Sequence, residues 1–138
     1  MKEYDGFLMG IPTRYGRAVG SASAFFDTTG GLWASGALAS KMCGIFTSTA
    51  SQHGGQETTA LTTIPFIAHH GMIYVPMGFG HPALSDNSKV VGGSAYGAAA
   101  VANGDGSRAV SDEELSISEM QGTNFAKTVN QFVAGKAK

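Results

Sequence analysis

Gly6-Phe7-Leu8-Met9-Gly10-Ile11-Pro12-Thr13-Arg14-Tyr15-Gly16 is the stretch that decides how the rest of the chain reads. Its first six residues form a short apolar run, unbroken by charge and ended by Pro12, which suits a strand buried on both faces. Beyond the proline come a hydroxyl, a guanidinium and an aromatic ring, all placed just past a strand end. Such a set can stack on a planar ring while its backbone amides bond ring heteroatoms. It serves equally as a strand-to-helix turn with Tyr15 as a packing aromatic, and spacing alone does not separate the two.

Working outward, Val19, Ala22, Phe25 and Phe26 recur at helical spacing between Ala18 and Asp27, and Thr28 to Gly31 reads as helix end and loop. The same grammar then repeats. Lys41 to Thr47 is strand-like, Ser48 to Gly55 is a Ser/Gly loop, and Gln56 to His70 is a helix interrupted by Pro65 and ended by Gly71. Ile73-Tyr74-Val75-Pro76 is a third strand, Met77 to Gly97 a long loop without periodicity, and Ala98 to Ala102 a last short strand. Ser111-Asp112-Glu113-Glu114 is a capping box opening a final helix, with Leu115, Phe125, Val129 and Phe132 on one face. Alternating strand and helix predict an α/β fold, a parallel sheet covered by helices with ligand loops at the carboxyl ends of the strands.

Composition agrees with one such domain over residues 1–138. Charged residues are 14%, hydrophobic ones 43%, and glycines number 20, a balance that suits a buried sheet with glycine-rich connections. A net charge of −1 disfavours nucleic acid and anionic membranes as partners. No stretch approaches the roughly 20 apolar residues of a membrane span. The N-terminus lacks the apolar core of a signal peptide, and Lys136-Ala137-Lys138 carries no lipidation or retention signal. The lone Cys43 reads as a small buried hydrophobe in a reducing compartment, and the chain as cytosolic.

Two further segments fall where a doubly wound sheet places a ligand. Ser48-Thr49-Ala50-Ser51-Gln52-His53 offers hydroxyls and free backbone beside Gly54-Gly55, enough for an anion or a polar ring edge, though unliganded glycine turns are common. Ala68-His69-His70-Gly71 puts two histidines at a helix end, where the macrodipole favours protonation. Adjacent helical residues diverge, so the pair makes a poor metal site. Gly78-Phe79-Gly80-His81-Pro82-Ala83 matches a dinucleotide pattern but opens no helix, which makes it a decoy. Hydrolase, P-loop and zinc motifs are missing.

Read together, these segments have a specific wording. Gly10 to Gly16, Phe25-Phe26-Asp27-Thr28-Thr29-Gly30-Gly31-Leu32-Trp33-Ala34-Ser35-Gly36-Ala37-Leu38, Gly54 to Glu57, Ala68 to Met72 and Gly104-Asp105-Gly106-Ser107-Arg108 occur in that order. The set resembles the WrbA-type NAD(P)H:quinone oxidoreductases over nearly the whole chain, and Thr49 to Gly55 is most similar to the fungal and plant versions. The resemblance implies a flavodoxin-like fold and a tetramer in which FMN takes hydride from NAD(P)H and passes two electrons to a quinone.

It also implies that Pro12, Thr13, Arg14, Tyr15 and Gly16 border the flavin ring and that Ser48, Thr49, Ala50, Ser51, Gln52 and His53 surround its ribityl and pyrimidine side. Trp33, offered to a neighbouring subunit, and His69 would line the shared nicotinamide and quinone pocket, His69 either protonating the quinone oxygen or orienting it. Complete members begin with a strand and a phosphate-binding loop, then a second strand and helix. Here Tyr4-Asp5-Gly6-Phe7 matches the start of the family's third strand, so the phosphate-binding loop is expected to be missing, the Gly6–Ile11 strand to be an open edge, and apolar surface to be uncovered on both faces. A truncated, non-catalytic protein that associates with full-length subunits is the alternative. An electron carrier fits less well, having little use for Trp33 and His69.

Overall fold

A computed structural model describes residues 1–136; Ala137 and Lys138, part of the terminus read above for lipidation signals, lie outside the described residues. The elements alternate as expected: β1 (Gly6–Arg14), β2 (Arg17–Ala18), α1 (Gly20–Asp27), α2 (Gly30–Ala34), β3 (Met42–Thr49), α3 (Thr58–His69), β4 (Ile73–Tyr74), β5 (Ala99–Val101) and α4 (Asp112–Lys136). β3 lies centrally, parallel to β1 along Gly6–Pro12 and Met42–Ser48. Its other edge is shared. β4 pairs with Met42 and Cys43 at the start of β3, and β5 with Thr47 to Thr49 at its end. The two short strands expected as successive elements are therefore halves of one edge, separated by the excursion between them.

That edge would be broken at Ile45 but for a side chain. Gln121 of α4, 5% exposed, donates from Nε2 to the Ile45 carbonyl at 2.8 Å and accepts the Ala98 amide at 2.9 Å. Its amide replaces the missing pair of ladder bonds. Two turns earlier, Glu114 anchors the same edge. The capping box forms reciprocally, Glu114 N–H to Ser111 Oγ at 3.2 Å and Ser111 N–H to Glu114 Oε2 at 2.9 Å. The fully buried carboxylate also accepts the Gly92 and Val101 amides and the Arg108 guanidinium. Burial opposes its charge, yet these donors outweigh it and hold the carboxyl below its ordinary range.

The opposite edge differs. Apart from the antiparallel contact of Thr13 and Arg14 with β2, no strand among the described residues pairs with the outer side of β1. Nor is β1 buried on both faces, as its uninterrupted apolar run led one to expect. Phe7, Met9 and Ile11 pack with Cys43, Ile45, Ala60 and Ile67 into the core between the sheet and α1 and α3. On the other face Leu8 and Phe46 are exposed, while Phe125 of α4 packs over Gly6 and Gly44 and Val129 over Gly6. The tip of the Phe46 ring lies over Gly10, where a Cβ would sit 2.5 Å from Cζ and push the ring aside.

Other departures are local. A short α2 starts at Gly30, where a loop was expected. α3 runs through Pro65, tolerable because Leu61, whose carbonyl loses its donor, faces solvent. Leu115 points outward, while Ile117, Gln121 and Phe125 carry the buried face of α4. After Gly80 only a single 3-10 turn, Pro82–Leu84, forms, so the glycine pattern there opens no α-helix. Among the described residues, no helix is long and apolar enough to cross a membrane.

Candidate functional site

The carboxyl ends of β1, β3 and β5 meet at one rim of the sheet, where open-sheet folds bind ligands. Thr13 organises the first loop: its Oγ1 accepts the Gly16 amide at 3.2 Å and the Thr59 hydroxyl of α3 at 2.8 Å. This turn forces Tyr15 to φ 53°, left-handed backbone that a bulky residue adopts only at a cost, with its side chain wholly in solvent. The packing-aromatic reading of Tyr15 is thereby removed. Arg14 folds its guanidinium back onto the Thr13 carbonyl at 2.8 Å.

The second loop closes against the first at Gly55. With φ 116° this residue sits so near its neighbours that a Cβ would lie 2.7 Å from Thr13 Oγ1 and 2.9 Å from Gly16 Cα. Two clefts flank the junction. One, of about 490 Å³, runs from Thr13–Gly16 to Ala50, His53 and Thr58; the other, of about 240 Å³, lies between Pro12–Arg14, Ser48–Ala50 and Asn103–Gly104. Among the described residues, the exposed amides of Ala50, Ser51, Gln52 and His53 donate to no acceptor within the chain. The larger cleft, edged by an exposed aromatic on one side and by Ala50 and His53 with their free amides on the other, has the chemistry to hold a planar ring with a polar edge.

Sequence reasoning missed Asn103 and Gly104, which close the second cleft, although their neighbourhood was noted for its wording. A cue was present: Asn103 takes φ 64°, in a turn of the Asn/Gly/Asp type. Beyond His53 lies another hollow, about 570 Å³, between the 52–58 turn and Phe79, Leu84, Val91 and Gly93 of the long connection.

Trp33 and His69 are elsewhere. α3 starts at the rim and runs back along the sheet for its 12 residues, about 18 Å. Its end therefore lies beside the start of β3, as the Ser40 to Gly71 bond of 2.9 Å shows. Both side chains are exposed there, on elements tied together by Thr29 and His70. Thr29 Oγ1 donates to the Phe26 carbonyl at 2.7 Å and so takes the Nε2 proton of His70 at 2.9 Å, leaving His70 Nδ1 buried without a partner. Burial pushes the His70 pKa down, which corrects the expectation that the helix end favours protonation at this residue. Among the described residues, no cluster of histidine, cysteine or carboxylate side chains could hold a metal ion.

Residues 1–82 match the family model described as NADPH-dependent FMN reductase. The chain belongs to that family. It is 49% identical over 132 residues to the NAD(P)H quinone oxidoreductase PST2 of Candida albicans, covering 96% of this chain and 66% of that one. An NAD(P)H dehydrogenase (quinone) of Caulobacter vibrioides is 47% identical over 128 residues, with 93% and 64% covered. The chain thus spans slightly under two thirds of these relatives. A solved flavodoxin, WrbA-like protein from Agrobacterium tumefaciens superposes with a TM-score of 0.73 at 21% identity, over 94% of this chain and 69% of that one. The fold is flavodoxin-like α/β, and the resemblance read from the five segments is borne out.

Proposed function

We propose that this chain, one flavodoxin-like domain over residues 1–138, binds FMN and carries out NAD(P)H-dependent two-electron reduction of quinones, as a homo-oligomer. The observation that carries the reading is the rim itself: Tyr15 held exposed at φ 53° beside a hollow bordered by Ala50 and His53, the two ends of a turn whose amides are free. The relatives named for this activity support it. The flavin, when bound, supplies the hydride and electron chemistry. The protein's part is to fix the ring. Pro12 to Gly16 border one side, with Tyr15 offering a π face, while Ser48 to His53 bond its polar edge. No residue described here is assigned to the flavin phosphate.

Trp33 and His69 enter this reading from a second copy. Within one chain His69 sits at the far end of α3, about 18 Å along the helix from its rim end, with the Trp33 helix tied to that same end, so both complete the substrate pocket across a subunit interface, Trp33 as an aromatic wall and His69 as hydrogen-bond donor to the quinone oxygen. The shared pocket and the oligomer stand or fall together, and we place the protein in the cytosol. In a reducing cell Cys43, buried and with its thiol pushed up to about 12, takes no part.

Titrating FMN into the purified chain, followed by NADPH and then benzoquinone, tests this. Saturable binding, bleaching on NADPH and recovery on quinone are expected; a folded sample that binds no flavin overturns the proposal. The unpaired β1 edge favours the second reading, association with full-length subunits without catalysis. Co-purification with a longer homologue, free of flavin, selects it.

A further inference from the structure

Gln56 is 8% exposed, and its amide joins two regions that the site as described so far treats separately. Nε2 donates to Thr49 Oγ1 at 2.5 Å, and that hydroxyl donates onward to the Ser51 carbonyl at 2.6 Å. Oε1 accepts the Gly93 amide at 2.7 Å. Thr49 and Ser51 frame the turn that presents the free amides at the ring-side cleft. Gly93 lies on the far wall of the hollow beyond His53, which borders both spaces. Nε2 also donates to the Ala100 carbonyl of β5, the strand that pairs with Thr49, at 3.4 Å.

We propose that Gln56 is a positioning residue that couples the 49–53 turn to the Val91–Gly93 wall, so that one amide sets the geometry of both clefts. The amide's orientation is dictated by its partners, since only Oε1 can accept from Gly93 and only Nε2 can donate to a Thr49 hydroxyl already committed to Ser51. Gln56→Met preserves length and removes both links. Gln56→Glu keeps an acceptor for Gly93 but invites the Thr49 proton toward itself and away from Ser51, releasing the turn alone. The functional readout rests on the flavin reading above.

Gln121→Met is the matched comparison, because Gln121 is equally buried and also bonds two backbone groups yet borders neither cleft. Nitrogen relaxation on the full chain without flavin would give backbone order parameters for residues 50–53 and 91–93. FMN titration and thermal midpoints complete the set. Gln56→Met is expected to lower order in both segments and weaken FMN about tenfold, the equivalent of one good hydrogen bond lost. Gln56→Glu should loosen only 50–53. Gln121→Met should lower the midpoint while leaving both segments and FMN affinity as they were. Loosening of one segment alone by Gln56→Met, or identical behaviour of the Gln56 and Gln121 variants, overturns the coupling. If the parent chain binds no FMN, the flavin reading falls while the order parameters still decide the coupling.

Discussion

The two edges of the sheet solve opposite problems. The β4/β5 edge is interrupted by a long excursion yet sealed, its gap bridged by Gln121 and its return fixed by Glu114. The β1 edge is a continuous nine-residue strand yet unsealed, with Leu8 on one face and a hollow lined by Met9, Ile11, Ala22 and Phe25 on the other. Continuity of strand and completeness of edge are therefore separate properties. Side chains from a distant helix can supply the second without the first.

The comparison breaks most violently at Glu114. Glu114→Ala strands Arg108 and three backbone amides, and the sealed edge should lose about 3–5 kcal/mol, read from urea unfolding. Acid reaches the same group. Because its folded pKa lies below the unfolded one, its contribution is complete above the usual glutamate range and disappears as pH falls through the folded value. Gln121→Leu should cost less, about 1–3 kcal/mol, by leaving the Ile45 carbonyl and Ala98 amide buried without partners.

On the unsealed edge the expected sign changes. Leu8→Lys puts a charge where apolar surface is already wet, so stability should stay within about 0.5 kcal/mol while self-association in sedimentation velocity decreases. If stability collapses instead, Leu8 is covered and the contrast between edges is false. The smallest effect is at the foot of β4. His70 is neutral when folded and its pKa is lowered, so unfolding takes up a proton below the ordinary histidine value of about 6.5 and stability declines as pH falls through that window. His70→Asn should flatten that slope in thermal midpoints measured across the same range.

Much of this was legible in the sequence because local rules and tertiary structure agree. The strand opening at Gly6, the Ser111/Glu114 capping box and the loop after β3 lie where residue pattern places them, but β1 does not end at Pro12: it runs on to Arg14, because an edge strand tolerates a residue with no N–H. What was not legible depends on residues far apart. An unbroken apolar run such as Gly6–Ile11 cannot say which face a helix will cover. Leu115 is apolar, as the helical pattern asks, but packing of α4 is set by Ile117 and by the polar Gln121 and Glu114, which no hydrophobic period reports. At the rim, Tyr15 and the Ser48–His53 loop were visible from position alone. The placing of His69 at the opposite end of α3 was not, since helix direction matters only once strand pairing is known.

The sealing of the β4/β5 edge also has a temporal side. Gln121 and Glu114 both belong to α4, so they leave the ribosome after every strand whose edge they complete. Until they do, the central strand has a strand partner on one flank and a gap on the other, and the strands already synthesised wait with an open seam. The closing helix is thus a latch thrown only after all the strands it closes have been made, and in the interval before it closes the seam is exposed to wrong partners.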